Sequence, residues 1–157
     1  VLERVPRAEL HMAANHAPGR LAGHPRLVPM PGTSWPEWRA ALPLRRFHVA
    51  LYPLLDTPVN RARSVNKLIE HAIVGAAGVY SAAWPESARV RRRGAGLVLG
   101  PEPEAWEAAV LRLLADRALR RRIAAAGRAL AADLNHAERQ RGFWRHALSL
   151  DDTALLA

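Results

Sequence analysis

The chain has no cysteine, and only one of its 23 basic residues, Lys67, is a lysine. Without cysteine there is no disulfide framework, no thiolate zinc site and no cysteine nucleophile, which fits a reducing compartment. Two tyrosines and two phenylalanines leave little for nucleic-acid bases to stack on. No apolar run reaches membrane-spanning length, and the first residues show no signal-peptide pattern, so a cytoplasmic location is expected. There is no G-x-x-x-x-G-K-[ST] loop, no H-E-x-x-H helix and no G-x-S-x-G elbow. Gly94-Ala95-Gly96 precedes its expected strand, the wrong order for a dinucleotide fingerprint. The histidines at 11, 16, 24, 48, 71, 136 and 146 form no tight ligand cluster, so neither a metal nor a cofactor is expected. His11 and His48 read as core or rim residues of strands.

What is present is globular. Half the residues are apolar and 24% are charged, and 157 residues suffice for one domain with its own core. The chain opens on VLERVPRAEL without a methionine, which suggests a piece of a longer protein. A net charge of +9 attracts nucleic acid or an anionic membrane. An Arg-rich, Ala-rich composition is also what a GC-rich genome writes on any surface. The runs Arg91-Arg92-Arg93 and Arg120-Arg121-Arg122 fall in helical patterns, where a solvated face is the ordinary explanation. Nucleic acid is therefore not an expected partner. Peripheral contact with the inner face of a membrane stays open.

Short apolar runs alternate with helical patterns. Strands are expected at 8–14 (AELHMAA), 27–31 (LVPMP), 47–54 (FHVALYPL, buried and stopped by Pro53), 77–82 (AGVYSA) and 96–100 (GLVLG). SWPEWRAAL, 34–42, starts a helix at Ser34 with Pro36 and Glu37 in the first turn. Residues 65–75 are helical, with Val65, Leu68, Ile69, Ala72, Ile73 and Ala76 forming the inward stripe and Gly75 or Gly78 the stop. Further helices are expected at 85–94, closed by Gly94, and at 103–116, 117–134 and 136–148, with the last nine residues frayed. Trp35 and Trp38, at the first helix, read as packing residues. The pattern implies an α/β fold: a Rossmann-like parallel sheet with helices on both faces, followed by C-terminal helices, in one domain. Ligands of such folds sit at the carboxyl ends of strands, which selects the loops 53–64 and 82–86.

NRARSVNKLIEHAIVGAAGVYS, 60–81, carries the candidate chemistry. Asn60, Arg63, Lys67 and Glu70 share one helical stripe if the helix extends back to Asn60. Ser64 is the expected N-cap. A helix start offers unpaired N–H donors and partial positive charge, and Arg63 and Lys67 add to it, so a diphosphate is the natural guest. Glu70, one turn deeper, can accept hydrogen bonds from a pair of sugar hydroxyls. The same Lys67–Glu70 pair is also an ordinary i,i+3 ion pair. Asp56 and Trp84 are further candidate cleft contacts. Asp56 could equally cap a turn, and Trp84 could equally be a rim aromatic.

ALYPLLDTPVNRARSVNKLIEHAIVGAAGVYS resembles the nucleotide-sugar-binding segment of GT-B-fold glycosyltransferases, which reads like "Pl…N…S.lK.lEy.a.G.pvv.S". The loop with Pro85, the turn into GLVLG and PEAWEAAVLRLLADRALRRRIAAAGR follow in the family's order, and ERQRGFWRHAL resembles its terminal helix. The resemblance covers about 47–148 and, more weakly, 8–42. It implies the donor-binding, C-terminal half of a two-domain hexosyltransferase of cell-surface polysaccharide biosynthesis. Such an enzyme moves a sugar from a nucleotide diphosphate sugar to a glycan or lipid-linked acceptor, without an obligatory metal. By the resemblance Glu70 binds the donor ribose, and Lys67 and Ser64 lie near the diphosphate. Many members carry an acid eight positions before that glutamate, where this chain has Ala62. An N-terminal acceptor domain, often the source of the catalytic base, would be a separate partner. The catalytic residues are therefore unknown, and this chain alone would be inactive. The alternative is a non-enzymatic Rossmann-like module that binds a partner protein or acidic polymer through its arginines.

Overall fold

The computed structural model describes residues 1–13, 19–30 and 32–147. The strand ends expected at Ala14 and Pro31, His16, the helix end at Leu148 and the fraying of 149–157 lie outside the described residues. The chain is α/β with parallel strands throughout, as expected, but it has two sheets. It divides into two compact units, Val1–Arg45 and Arg46–Ala157.

In the first unit, β1 (Leu10–Met12) pairs in parallel with β2 (Leu27–Pro29), Leu10 opposite Leu27 and Met12 opposite Pro29. Arg26 ties the start of the unit to this pair, its guanidinium donating to the Val5 carbonyl at 2.8 Å. Helix α1 (Trp35–Ala41) begins as its sequence implies. The Ser34 side chain accepts from the Glu37 N–H, and the Glu37 carboxylate accepts from the Ser34 N–H at 2.9 Å. This reciprocal cap satisfies two otherwise orphaned donors. The Ser34 hydroxyl, which donates to the same carboxylate at 2.8 Å, and then the Ser34 N–H hold the Glu37 carboxyl below its usual range.

In the second unit three parallel strands lie in the order β3 (Val49–Tyr52), β4 (Ala77–Ser81), β5 (Leu97–Leu99). Between β3 and β4 the chain forms α2 (Pro58–Arg61) and α3 (Asn66–Ile73), and between β4 and β5 it forms α4 (Ser87–Arg92). Helices α5 (Pro103–Ala115), α6 (Arg117–Leu134) and α7 (Ala137–Ala147) follow. Every residue of β4 is buried, and its side chains alternate between two cores. Ala77 and Val79 pack with Ala109, Leu113, Leu119 and Ile123 of α5 and α6. Tyr80 packs with Leu68, Trp84, Val90 and Leu130. Helices therefore cover both faces of this sheet, and the central strand reads as an uninterrupted small and apolar run. Each large side chain fully buried here contributes roughly 1.5–3 kcal/mol.

Several expectations need correction. FHVALYPL is not a buried strand. β3 is an edge of the sheet, half-buried, with Leu51 exposed, and His48 lies before it in an exposed position. On α3 the inward stripe includes Leu68 but not Ile73, which is exposed, and His71 takes an inward place instead. Its burial is tolerated because Nδ1 finds the Tyr80 hydroxyl at 3.1 Å and the two rings stack at 5.3 Å. Of the two candidate stops, Gly75 ends the helix, at φ +72°, a left-handed conformation that favours glycine.

Candidate functional site

The candidate residues fall in the crossover from β3 to β4 and on the loop after β4. Buried Ser81, at the carboxyl end of β4, donates its hydroxyl to the Leu54 carbonyl at 2.9 Å. The same oxygen accepts from the Ala83 N–H at 3.2 Å. This side chain fastens the loop after β3 to the end of the neighbouring strand, so the start of the crossover has a fixed origin. In the sequence Ser81 stands only as the last letter of the resembling segment, yet its hydroxyl can bond nearby backbone groups as it does here.

The expected single helix from Asn60 onward does not form. Thr57 caps the one-turn helix α2, its hydroxyl accepting from the Asn60 N–H at 3.3 Å, and Pro58 occupies the first turn. Residues 62–65 separate α2 from α3. Asn60 and Arg63 therefore do not share a helical stripe with Lys67 and Glu70. The Asn60 side chain instead organises the loop, donating to the Leu55 carbonyl at 2.8 Å and offering Oδ1 to Arg63 Nε at 3.4 Å. Asp56 is held by Arg61 in a two-pronged pair, at 2.6 Å from Nε and 2.9 Å from Nη2. Hydrogen bonding to Arg61 lowers the Asp56 carboxyl below its usual range.

The start of α3 also differs from expectation. The residue at the cap is Val65, not Ser64, and no side chain caps the helix. Among the described residues the N–H groups of Asn66 and Lys67 meet no acceptor, and the Ser64 hydroxyl is exposed and engages none of them. The first turn holds no acid. The positive end of the helix is thus open, with Arg63, Ser64 and Lys67 around it. One turn on, Lys67 Nζ donates to Glu70 Oε2 at 2.7 Å. The Lys67 side chain is 43% exposed and that of Glu70 14%. The carboxylate is neither turned into the apolar core nor free, since its neighbour's ammonium holds it.

Trp84 leaves the set of cleft contacts. It is 1% exposed, stacked on Tyr80 at 5.1 Å and edge-on to Tyr52 at 5.6 Å. Its ring fills the core beside Leu68 and Val90, and its Nε1 meets no hydrogen-bond partner among the described residues. The space exists because β4 carries glycine at 78 and the turn into β5 carries glycine at 96, and the Tyr80 ring lies over both. Beneath α3 the column His71, Tyr80, Trp84 is therefore structural. Burial, with the Lys67 charge as a lesser cause, pushes the His71 imidazole down to about 4. Burial alone raises the Tyr80 phenol.

Among the described residues no group of three or more His, Asp or Glu is placed to hold a metal ion. None of the helices is long and apolar enough to cross a membrane, again among the described residues. No protein-family model matches the chain, and no curated protein matches it.

Proposed function

We propose that the second unit binds a nucleotide diphosphate sugar and serves as the donor half of a GT-B-type glycosyltransferase. The observation that carries the reading is the uncapped start of α3, with two unaccepted N–H groups, flanking cations and a half-buried acid one turn on. In this reading the diphosphate lies against the N–H groups of Asn66 and Lys67, its charge offset by Arg63 and Lys67. The Ser64 hydroxyl bonds a phosphate oxygen. Glu70 accepts from the ribose hydroxyls, and Lys67 exchanges its bond to Glu70 for one to phosphate. The negative charge that develops on the leaving diphosphate is stabilised by these same groups, which needs no metal. The acceptor, a glycan or lipid-linked intermediate, and the catalytic base belong to a separate domain. The whole enzyme works in the cytoplasm.

The test is calorimetric titration of the chain with UDP, GDP and dTDP, wild type beside Glu70→Ala and Lys67→Ala. Saturable binding of one nucleotide, weakened about tenfold or more in both variants, is expected. Binding that survives Glu70→Ala and vanishes in moderate salt would instead mark simple polyanion attraction.

A further inference from the structure

A second concentration of positive charge lies at the opposite end of the three-stranded sheet. α6 supplies Leu119 and Ile123 to one core and Leu130 to the other, so it passes from one face toward the other. It does so at the amino ends of the strands, where Gly127 packs against the Ala95 carbonyl, just before β5. There an open cleft of about 580 Å³ forms between α6 and the segments entering β3 and β4. Its walls are Phe47, His48, Gly75 and, from α6, Arg117, Arg120, Arg121, Ala124 and Arg128.

The spacing 117, 121, 124, 128 is one face of a helix, so these arginines share a single concavity. That separates them from the arginines of α4 and from Arg122, which are not among the walls. Arg120 is fixed, donating from Nη1 to the Leu113 and Leu114 carbonyls at 2.8 and 3.1 Å, at the negative end of α5. Arg117, Arg121 and Arg128 are exposed and meet no carboxylate among the described residues. Among the described residues no carboxylate lines the cleft. Beside the anchored Arg120, the three exposed guanidinium groups around one hollow raise its positive potential and attract an anion from solution. Guanidinium forks suit phosphate oxygens, which accept two donors from one plane. The site is an open hollow whose aromatic walls are Phe47 and the His48 ring, without the row of stacking side chains that single-stranded nucleic acid requires.

We propose that this cleft binds a compact phosphate or diphosphate group, supplied by a soluble phosphate ester or by a lipid headgroup. It is a site distinct from the start of α3 and independent of the donor-binding reading.

The experiment uses the whole chain carrying Arg63→Ala and Lys67→Ala, which strips the side-chain cations from the start of α3 and weakens any phosphate binding there. Inorganic pyrophosphate is titrated by calorimetry at roughly physiological salt. In parallel, the protein is sedimented with phosphatidylcholine vesicles with and without phosphatidic acid. Two double variants are compared on this background: Arg121→Gln with Arg128→Gln, and Arg91→Gln with Arg92→Gln. They remove equal charge, and all four positions are exposed, so circular-dichroism melts should coincide. Saturable pyrophosphate binding that weakens about tenfold or more in the first pair only is the expected result. Loss of phosphatidic-acid sedimentation in the same pair assigns the source to lipid, and pyrophosphate binding without sedimentation assigns it to a soluble ester. Equal weakening in both pairs, or no saturable binding in either assay, would overturn the proposal.

Discussion

Lys67 and Glu70 form a 2.7 Å ion pair in which the acid is the more buried partner, its side chain 14% exposed against 43% for the lysine. Either residue removed alone leaves the other without its counter-charge, but neither sits in the apolar core. An exposed or half-exposed i,i+3 pair contributes under about 1 kcal/mol. Lys67→Ala and Glu70→Gln should therefore each lower the unfolding free energy read from urea titration by no more than that amount. Both should still weaken nucleotide binding about tenfold or more under the donor-binding reading. If Glu70→Gln instead costs several kcal/mol and leaves ligand affinity intact, the pair serves the fold.

His71 makes stability depend on pH in a defined direction. Its imidazole is held neutral, with its pKa lowered from an ordinary 6.5 to about 4. The unfolded chain therefore binds a proton between these values that the folded chain does not. The contribution of neutral His71 is fully present above pH 6.5 and is lost as pH falls toward 4. It amounts to something on the order of 3 kcal/mol. Urea unfolding of wild type and His71→Gln across this range checks it. The wild type should lose stability steeply on acidification, and the variant should show a shallower slope.

Gly78 is where a single methyl group should do the most damage. The Tyr80 ring occupies the space a Cβ would take, and it cannot retreat because Trp84 stacks behind it. Gly78→Ala is expected to cost at least about 2 kcal/mol, as overpacking in a buried strand does. Gly94→Ala is a useful contrast. Nothing lies within 4 Å of its added methyl, and only the left-handed φ of +59° resists it, at about 1 kcal/mol. Thermal melts that rank the two in the opposite order would contradict the packing described.

Local chemistry made much of the fold legible in the sequence. The Ser34–Glu37 cap, the stops at Gly75 and Gly94, and the apolar run of β4 each depend on residues adjacent in the chain. Thr57-Pro58 marks the start of α2 just before Asn60, but no residue within 60–70 marks the break at 62–65, so the Asn60–Glu70 spacing presents one continuous helix. The division into two sheets and the edge position of β3 depend on which strands meet, and periodicity within a strand does not encode that. Trp84 sits in a loop, and loops usually face solvent. Its burial follows from Gly78 and Gly96 making room for Tyr80, a relation spanning eighteen residues by number, from 78 to 96. His71 goes inward for a partner, Tyr80, on the next strand. The basic cleft gathers Phe47, Gly75 and α6 from distant parts of the chain, so the arginine run looked like an ordinary solvated face.

Ser64→Asp separates a structural role for the start of α3 from a ligand-binding one. A carboxylate at an uncapped helix start meets the same N–H groups and the same partial charge that a phosphate would. Such a placement typically stabilises by about 0.3–1 kcal/mol at an exposed site. The exposed Ser64 side chain gives up no bond to the helix when it is replaced. The variant should melt at or slightly above the wild-type temperature. It should lose nucleotide diphosphate binding, because the new charge fills the anion position and repels the incoming phosphates. A variant that is stabilised yet binds nucleotide unchanged would move the diphosphate away from α3. The acid at Glu70 would then have no nucleotide to grip.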